Sequence, residues 1–330
     1  MKKASIKDVA RIADVSIATV SQILNNKGER FSEATRAKVY AARDEVGYVP
    51  NLSARSLKRN SHILIGVIVP TLSLPYFGSF VQAIQDLLPP NVSLSIMSGE
   101  QEQANEAVER LAENGASGII VVSQLSEPTE VAQLLKQRGI AMVVTENHAK
   151  LEDADVVYTK DNEGGRFAAE HLLQQGHQHV ALLGNQVFTD NLAYRAEAFK
   201  ATMAEAGVKV SEITTHNLSK QSGQAAAMAV SISHATATFA LNDELAIGLI
   251  SGLSKMGWRV PDDMSVIGYD DTDYAAFYQP GLTTIHQPVD EIAKLALDIL
   301  MQRIENAKTE RQKIAVDVNL VERASTKNVK

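Results

Sequence analysis

From His62 onward the chain repeats one pattern: short, continuous apolar runs separated by stretches with helical spacing. Ile63–Pro70 is the first run; others lie at Val92–Met97, Gly118–Val122, Ile140–Thr145, His179–Leu183, Thr236–Leu241, Met264–Gly268 and Leu282–Ile285. A strand that is apolar along its whole length, rather than at every second residue, must be covered on both faces. Helical stretches at Phe77–Leu88, Ala104–Asn114, Glu163–Gln175, Leu192–Ala206, Glu244–Met256 and Val289–Glu305 supply that cover. Alternating β and α units imply parallel sheets, and there are too many strands for one small sheet. Two doubly wound lobes are the natural solution, with a ligand crevice at the carboxyl ends of the strands.

Residues 1–60 differ in kind. They hold 12 Lys and Arg against 6 Asp and Glu, a net +6, while the remainder holds 20 against 33, a net −13. A small basic head on a large acidic body points to a head that meets a polyanion. Ser5-Ile6-Lys7-Asp8 opens a helix with a capping-box-like start, and Val9, Ile12 and Ala13 give it an apolar face. Asp14-Val15-Ser16 reads as a tight turn, with Ser16 capping a second helix from Ile17 to Asn25. Ser32 caps a third, from Glu33 to about Val46, closed by Gly47. Three short helices with a tight turn between the first two form a helix-turn-helix, whose second helix is sized for the DNA major groove.

These residues also carry a family resemblance. Ile6-Lys7-Asp8-Val9-Ala10, Val15-Ser16, Thr19-Val20-Ser21, Leu24-Asn25-Asn26, Thr35-Arg36 and Gly47-Tyr48-Val49-Pro50-Asn51 resemble the head of LacI/GalR-family transcription regulators. Ala54-Arg55-Ser56-Leu57 resembles that family's hinge helix. The resemblance implies that Ile17, Ala18 and Gln22 face the groove and that Thr19 and Ser21 lie near phosphates, with Ser16 and Asn25 completing the set on this helix. Members of the family commonly carry Arg or His where Gln22 stands; Gln favours a bidentate pair with adenine, Arg with guanine. Leu57, at the family's wedge position, is implied to enter a minor-groove base step and kink it, with Arg55, Lys58 and Arg59 against phosphates.

In the body the resemblance continues through Asp161-Asn162, Gly164-Gly165, Gly176-His177, Asn242-Asp243, Val260-Pro261, Gly268-Tyr269-Asp270-Asp271, Leu282-Thr283-Thr284-Ile285 and Gln287-Pro288. It implies an all-α helix-turn-helix head on an α/β, two-lobed, periplasmic-binding-protein-like body of doubly wound parallel sheets. The implied boundaries are 1–49 for the head, 50–61 for the hinge, 62–161 with 288–317 for lobe one, and 162–287 with 318–330 for lobe two. Tyr76 or Phe77 is implied to cover the effector, and Arg195 to grip it. Asp161, Asn242, Asp270 and Gln287 complete the implied effector set. Glu146 and Asn147 belong to it as well, standing where many sugar binders have Asp-Arg; Glu keeps an acceptor one methylene farther out, and Asn removes a charged fork. Polar groups interleaved with an aromatic are what a sugar needs. A phosphorylated ligand would want several cations, and only Arg195, with Lys160 second, is in place.

The expected function is a sequence-specific DNA-binding regulator, a repressor of carbohydrate-utilisation genes, controlled by a small sugar-like effector between the lobes. The alternatives are a regulator corepressed by a purine or other metabolite and, from another class, a sugar-binding protein without DNA function. The expected partners are double-stranded DNA with a pseudo-palindromic operator, the effector, and a second copy in a homodimer; no terminal heptad segment suggests a tetramer. No enzyme is expected. The chain has no Cys, which excludes a disulfide scaffold, an iron–sulfur site and a thiolate nucleophile. It shows no phosphate loop, nucleophile elbow or dinucleotide fingerprint. Neither Asp270-Asp271-Thr272-Asp273 nor His177-Gln178-His179 has metal-site spacing, so no metal or cofactor is expected. No apolar run approaches membrane-spanning length and no signal peptide opens the chain, so a cytoplasmic location is expected.

Overall fold

The computed structural model describes residues 5–24, 30–47, 63–145, 151, 154–186 and 189–329. The chain divides into two compact units, residues 1–62 and 63–330.

In the first unit, α1 (Ile6–Ala13), α2 (Ile17–Ile23) and α3 (Glu33–Glu45) close on a core of Val9, Ala10, Ala13, Val20, Ile23, Val39 and Ala42. Local chemistry sets each start. The Ser5 amide donates to Asp8 Oδ2 at 3.0 Å; Ser16 Oγ accepts from the Thr19 amide at 3.0 Å, and Ser32 Oγ from the Thr35 amide at 3.3 Å. Asp14 turns the chain between α1 and α2 in the left-handed region, at φ 52°, a conformation that Asp tolerates better than most residues. α2 ends at Ile23, shorter than the sequence suggests, and Asn25 lies outside the described residues.

The second unit holds two six-stranded sheets. Sheet one has the order β2 (Val92–Ser98), β1 (Ile63–Val69), β3 (Gly118–Val121), β4 (Ala141–Thr145), β5 (Asp155–Thr159) and β11 (Lys313–Val316), all parallel. Sheet two has the order β7 (Lys209–Thr215), β6 (His179–Asn185), β8 (Ala237–Ala240), β9 (Ser265–Asp270), β10 (Thr283–His286) and β12 (Asn319–Val321). Among the described residues only β12 runs antiparallel to its neighbour in this sheet. The chain crosses between sheets three times: after β5, after β10 and after β11. Helix Val289–Glu305 therefore returns to lobe one, where Ile292, Ala293, Ala296 and Leu300 pack with Phe80, Ile84, Ile120 and Val143.

One buried cluster ties this return in place. Asp155, fully buried at the start of β5, accepts from Arg303 Nη2 at 2.8 Å, Arg303 Nε at 2.9 Å, Arg311 Nη1 at 3.1 Å and the Gln312 amide at 2.9 Å. Such a carboxylate is tolerated inside because every lone pair meets a donor. Strands β5, β7, β11 and β12 and helices Pro128–Gln137, Lys220–Ala225, Ala227–Ile232 and Asp273–Phe277 go beyond the elements that the apolar runs announce. Among the described residues no helix is long and apolar enough to cross a membrane.

Candidate functional site

In each sheet the strand order reverses next to the first strand, β1 in one and β6 in the other, and open α/β sheets bind ligands at such points. A cavity of about 490 Å³ lies there, walled by both lobes. Pro70 and Thr71 follow β1, and Val122 and Gln124 follow β3; opposite them Asn185 ends β6, Asn242 follows β8, Asp270 ends β9 and Gln287 follows β10. Lobe one adds Tyr76 and Phe77 from helix Pro75–Leu87, whose Pro at the first position suits a helix start. Their rings meet edge to face, with centroids 5.4 Å apart. One wall is thus partly aromatic and the other mostly polar.

Arg195 anchors the polar wall. Its backbone lies where helices Asp161–Gln174 and Asp190–Glu205 cross, and a Cβ on Gly165 would stand 2.1 Å from the Arg195 carbonyl oxygen, so only glycine permits the crossing. The buried guanidinium donates from Nε to Asp161 Oδ1 at 2.6 Å and from Nη1 to the Leu241 carbonyl at 3.1 Å. It lies 3.6 Å from the Tyr269 ring centroid, with Nη1 3.8 Å from Asp270 Oδ1. Burial alone would lower its pKa, but Asp161, Tyr269 and Asp270 more than offset this, so the charge is permanent. The Tyr269 hydroxyl, raised well above its ordinary pKa chiefly by burial, stays protonated and donates to Asp161 Oδ1 at 2.9 Å. Thr159 Oγ1 supplies a third donor to Asp161, at 2.8 Å.

Asp270 is strained as well as charged. Its φ of 109° is a conformation that side-chain-bearing residues rarely adopt, and such strain costs on the order of 1–3 kcal/mol where the surroundings enforce it. Gln287 does the enforcing: its Nε2 donates to Asp270 Oδ1 at 2.7 Å and its backbone amide to the Asp270 carbonyl at 3.3 Å. Backbone strain of this kind concentrates at binding sites.

The head presents a different surface. Ser16, Ile17 and Ala18 are exposed at the start of α2, Thr19, Ser21 and Gln22 half-buried, and Val20 and Ile23 buried. Ile17, 45% exposed, is an apolar side chain that folding leaves unused, suited to a thymine methyl. Gln22 Oε1 accepts a hydrogen bond from Arg30, which fixes the amide's orientation.

Comparison with known proteins agrees with both units. Residues 5–51 match the model of bacterial regulatory proteins of the lacI family, and residues 169–326 that of the periplasmic binding protein-like domain. The HTH-type transcriptional repressor PurR of Photobacterium profundum is 33% identical over 99% of both chains. The chain belongs to the LacI family. An Escherichia coli PurR is 35% identical over 98% of this LacI-family chain and 96% of its own. Among solved structures, the lac repressor dimer bound to operator and an anti-inducer aligns with a TM-score of 0.80 at 28% identity, covering 99% of this chain and all of that one. A LacI-family regulator from Enterococcus faecium with bound ribose aligns at 0.77 and 32% identity, covering 81% of this chain and all of that one. This LacI-family protein is a DNA-binding transcriptional repressor and not an enzyme.

Within this LacI-family regulator, Tyr76, Phe77, Arg195, Asn242, Asp270 and Gln287 come together around one cavity. Asp161 does not reach its wall: three donors surround its carboxylate, and it holds Arg195 and Tyr269 from beneath. Lys160 is no second cation for a ligand either, being paired with Asp317 at 2.6 Å and Glu163 at 3.7 Å away from the cavity wall. Asn242 is largely occupied as a helix cap, its Oδ1 accepting from the Leu245 amide at 2.9 Å and its Nδ2 donating to the Leu218 carbonyl at 3.1 Å; one amide proton remains for a ligand. Asn25, Arg55, Leu57, Lys58, Glu146 and Asn147 lie outside the described residues.

The remaining chemistry is structural. His177 and His179 bind different hydroxyls, Thr236 at 2.7 Å and Ser211 at 2.9 Å, and burial pushes the His177 imidazole down to about 4. Asp271 is held by Arg323 at 2.6 Å and His286 at 3.0 Å. Among the described residues no group of three or more His, Asp or Glu is placed to hold a metal. The sequence reading missed Arg30, Asn185, Asn191 and Glu244; the last directly follows the Asn242-Asp243 motif, and that adjacency was the available signal.

Proposed function

We propose that this repressor is controlled by a small, neutral, carbohydrate-like effector in the interlobe cavity and that it governs carbohydrate-utilisation genes. One observation carries the reading: the Arg195–Asp270–Gln287 cluster opposite the Tyr76–Phe77 pair, on facing walls of a cavity of about 490 Å³. The cluster offers donors and acceptors at fixed spacing to hydroxyls, and the aromatic pair offers an apolar surface to a ring face. The family resemblance adds Glu146 and Asn147 to the proposed set. The ribose bound by the E. faecium relative supports this reading.

The effector acts by binding one disposition of the lobes better than the other, and its differential affinity sets the operator affinity of the head. Ser16, Ile17, Ala18, Thr19, Ser21, Gln22 and Asn25 read the operator, and Arg55, Leu57 and Lys58 of the 50–61 hinge hold and kink it. The protein works as a homodimer on a pseudo-palindromic site in the cytoplasm. Phe277 at 84% exposure, Ile232 at 66%, Met228 at 59% and Tyr274 at 54% are exposed apolar side chains of lobe two, of the kind that a second copy would cover. Phe277→Lys is then expected to yield monomers by sedimentation.

A purine effector is the second reading, favoured by the full-length relatives that carry the name PurR. Thermal-shift measurements against neutral sugars, polyols, sugar phosphates and purines separate the two, because a ligand of the folded cavity must raise stability. Stabilisation by purines and by no carbohydrate would overturn the carbohydrate reading.

A further inference from the structure

We propose that Glu244 is an effector-contacting residue that selects neutral, hydroxyl-rich ligands and rejects their phosphorylated counterparts. The proposal rests on the carbohydrate reading above and adds to it the residue that sets ligand charge.

Glu244 is the second residue of helix Asp243–Lys255, borders the cavity and is only 5% exposed. Its two oxygens differ in circumstance. Oε2 accepts from Lys220 Nζ at 2.7 Å, and that ammonium also stands 4.7 Å from the Tyr274 ring centroid, held from two sides. Oε1 is buried and has no hydrogen-bond partner among the described residues. Close helix packing enforces the arrangement. A Cβ on Gly248 would stand 2.0 Å from the Lys220 carbonyl oxygen, and one on Gly223 2.2 Å from that of Leu245. Glycine at both positions lets helix Lys220–Ala225 approach until Lys220 reaches Glu244.

A buried acceptor without a donor carries the full cost of its dehydration, and a native structure keeps one only for a reason. Gln287 Oε1, in a residue 2% exposed on the same cavity wall, is in the same state. Both unsatisfied atoms are acceptors. A ligand that supplies hydroxyl protons satisfies both, whereas a phosphate at neutral pH offers few protons and up to two negative charges. The wall is already anionic: Glu100, Glu244 and Asp270 border the cavity, and the Arg195 charge is committed to Asp161 and Asp270. A phosphate ester would meet carboxylates there with no uncommitted Lys or Arg among the described lining residues.

The test is calorimetric titration of the full chain and its Glu244→Gln and Glu244→Ala variants. The probes are D-ribose and D-glucose, each beside its phosphate ester, and hypoxanthine. Glu244→Gln keeps the shape and one acceptor, and so guards against a folding failure in Glu244→Ala. The expected result is that a neutral sugar binds the unmodified protein and its ester binds at least tenfold more weakly. Glu244→Gln should then weaken the sugar about tenfold and narrow the gap between sugar and ester. Unchanged sugar affinity in both variants, or an ester bound as tightly as its sugar, overturns the assignment. Binding of hypoxanthine without any sugar overturns the carbohydrate reading separately, and unchanged hypoxanthine affinity in Glu244→Gln would then remove Glu244 from the site as well.

Discussion

Replacing Asp161 with Asn asks whether this residue works by holding Arg195 in place. The pair is short, 2.6 Å, and its side chains are 3% and 2% exposed, so water does little to screen either charge. After neutralisation the nearest carboxylate to the guanidinium is Asp270 at 3.8 Å, which Gln287 already engages. Breaking a buried pair by removing one partner costs about 3–5 kcal/mol. A domain's whole stability is about 5–15 kcal/mol, so the loss should be plain. Urea unfolding should show a lower midpoint with an unchanged slope, because the exposed area does not change. Adding Arg195→Met to Asp161→Asn should recover part of the loss, since the fully buried guanidinium is gone and the less buried Asp270 keeps its hydrogen bond from Gln287. Effector affinity should fall in the single variant, because the guanidinium loses the contact that orients it. A loss below about 1 kcal/mol with unchanged effector affinity would refute the reasoning.

Other residues make separate predictions. Asp243 is buried, and desolvation, opposed by hydrogen bonds from Thr284 and Thr272 and reinforced by the Asp271 charge, pushes its carboxyl up to about 7. A carboxyl raised above its unfolded value of about 4 favours folding most at low pH, and this contribution is lost as pH rises from about 4 to about 7. The buried His177, lowered to about 4, acts in the opposite direction below its unfolded value of about 6.5. The Asp243 part is therefore read as the difference in urea midpoint between the protein and Asp243→Asn at pH 5 and pH 8; equal pH slopes would exclude it. Asp155→Ala strands the nearly buried Arg303 and should cost about 3–5 kcal/mol by urea unfolding, and a cost near zero would mean the cluster is incidental. Gln22→Arg should move operator preference at one base from adenine towards guanine in a binding-site selection, by about 1–3 kcal/mol of discrimination; an unchanged preference would remove Gln22 from the groove.

The parallel strands were legible because burial on both faces writes itself as an unbroken apolar run, as in β1, β3 and β4. β7 escaped because it is a sheet edge, and Lys209-Val210-Ser211-Glu212-Ile213-Thr214-Thr215 is half solvated. β11 is also an edge and only four residues long. β5 escaped for another reason. It opens with a fully buried acid whose partners, Arg303 and Arg311, stand about 150 residues away, and no local pattern announces such a pairing. The cavity was legible as strand-end polar residues, but the division of labour within it was not. Asp161 and Arg195 looked equivalent as effector contacts, and only the packing of Tyr269 and Thr159 around Asp161 shows which of them lies underneath. Glu244 carries no local signal of a site, because its contact with Lys220 depends on Gly223 and Gly248, which let the two helices approach.

The three crossings between the sheets also order events during synthesis. When β10 has been made, sheet two lacks only its short antiparallel edge, yet sheet one still lacks helix Val289–Glu305 from its core and β11 from its edge. A nascent chain therefore carries an unfinished first lobe through the whole production of the second. Its apolar sheet face is open to chaperones or to aggregation during that interval. The last segments then close both lobes almost together, β11 in one and β12 in the other. A chain ended just after His286 would carry a nearly formed second lobe attached to a first that lacks its last helix and its edge strand.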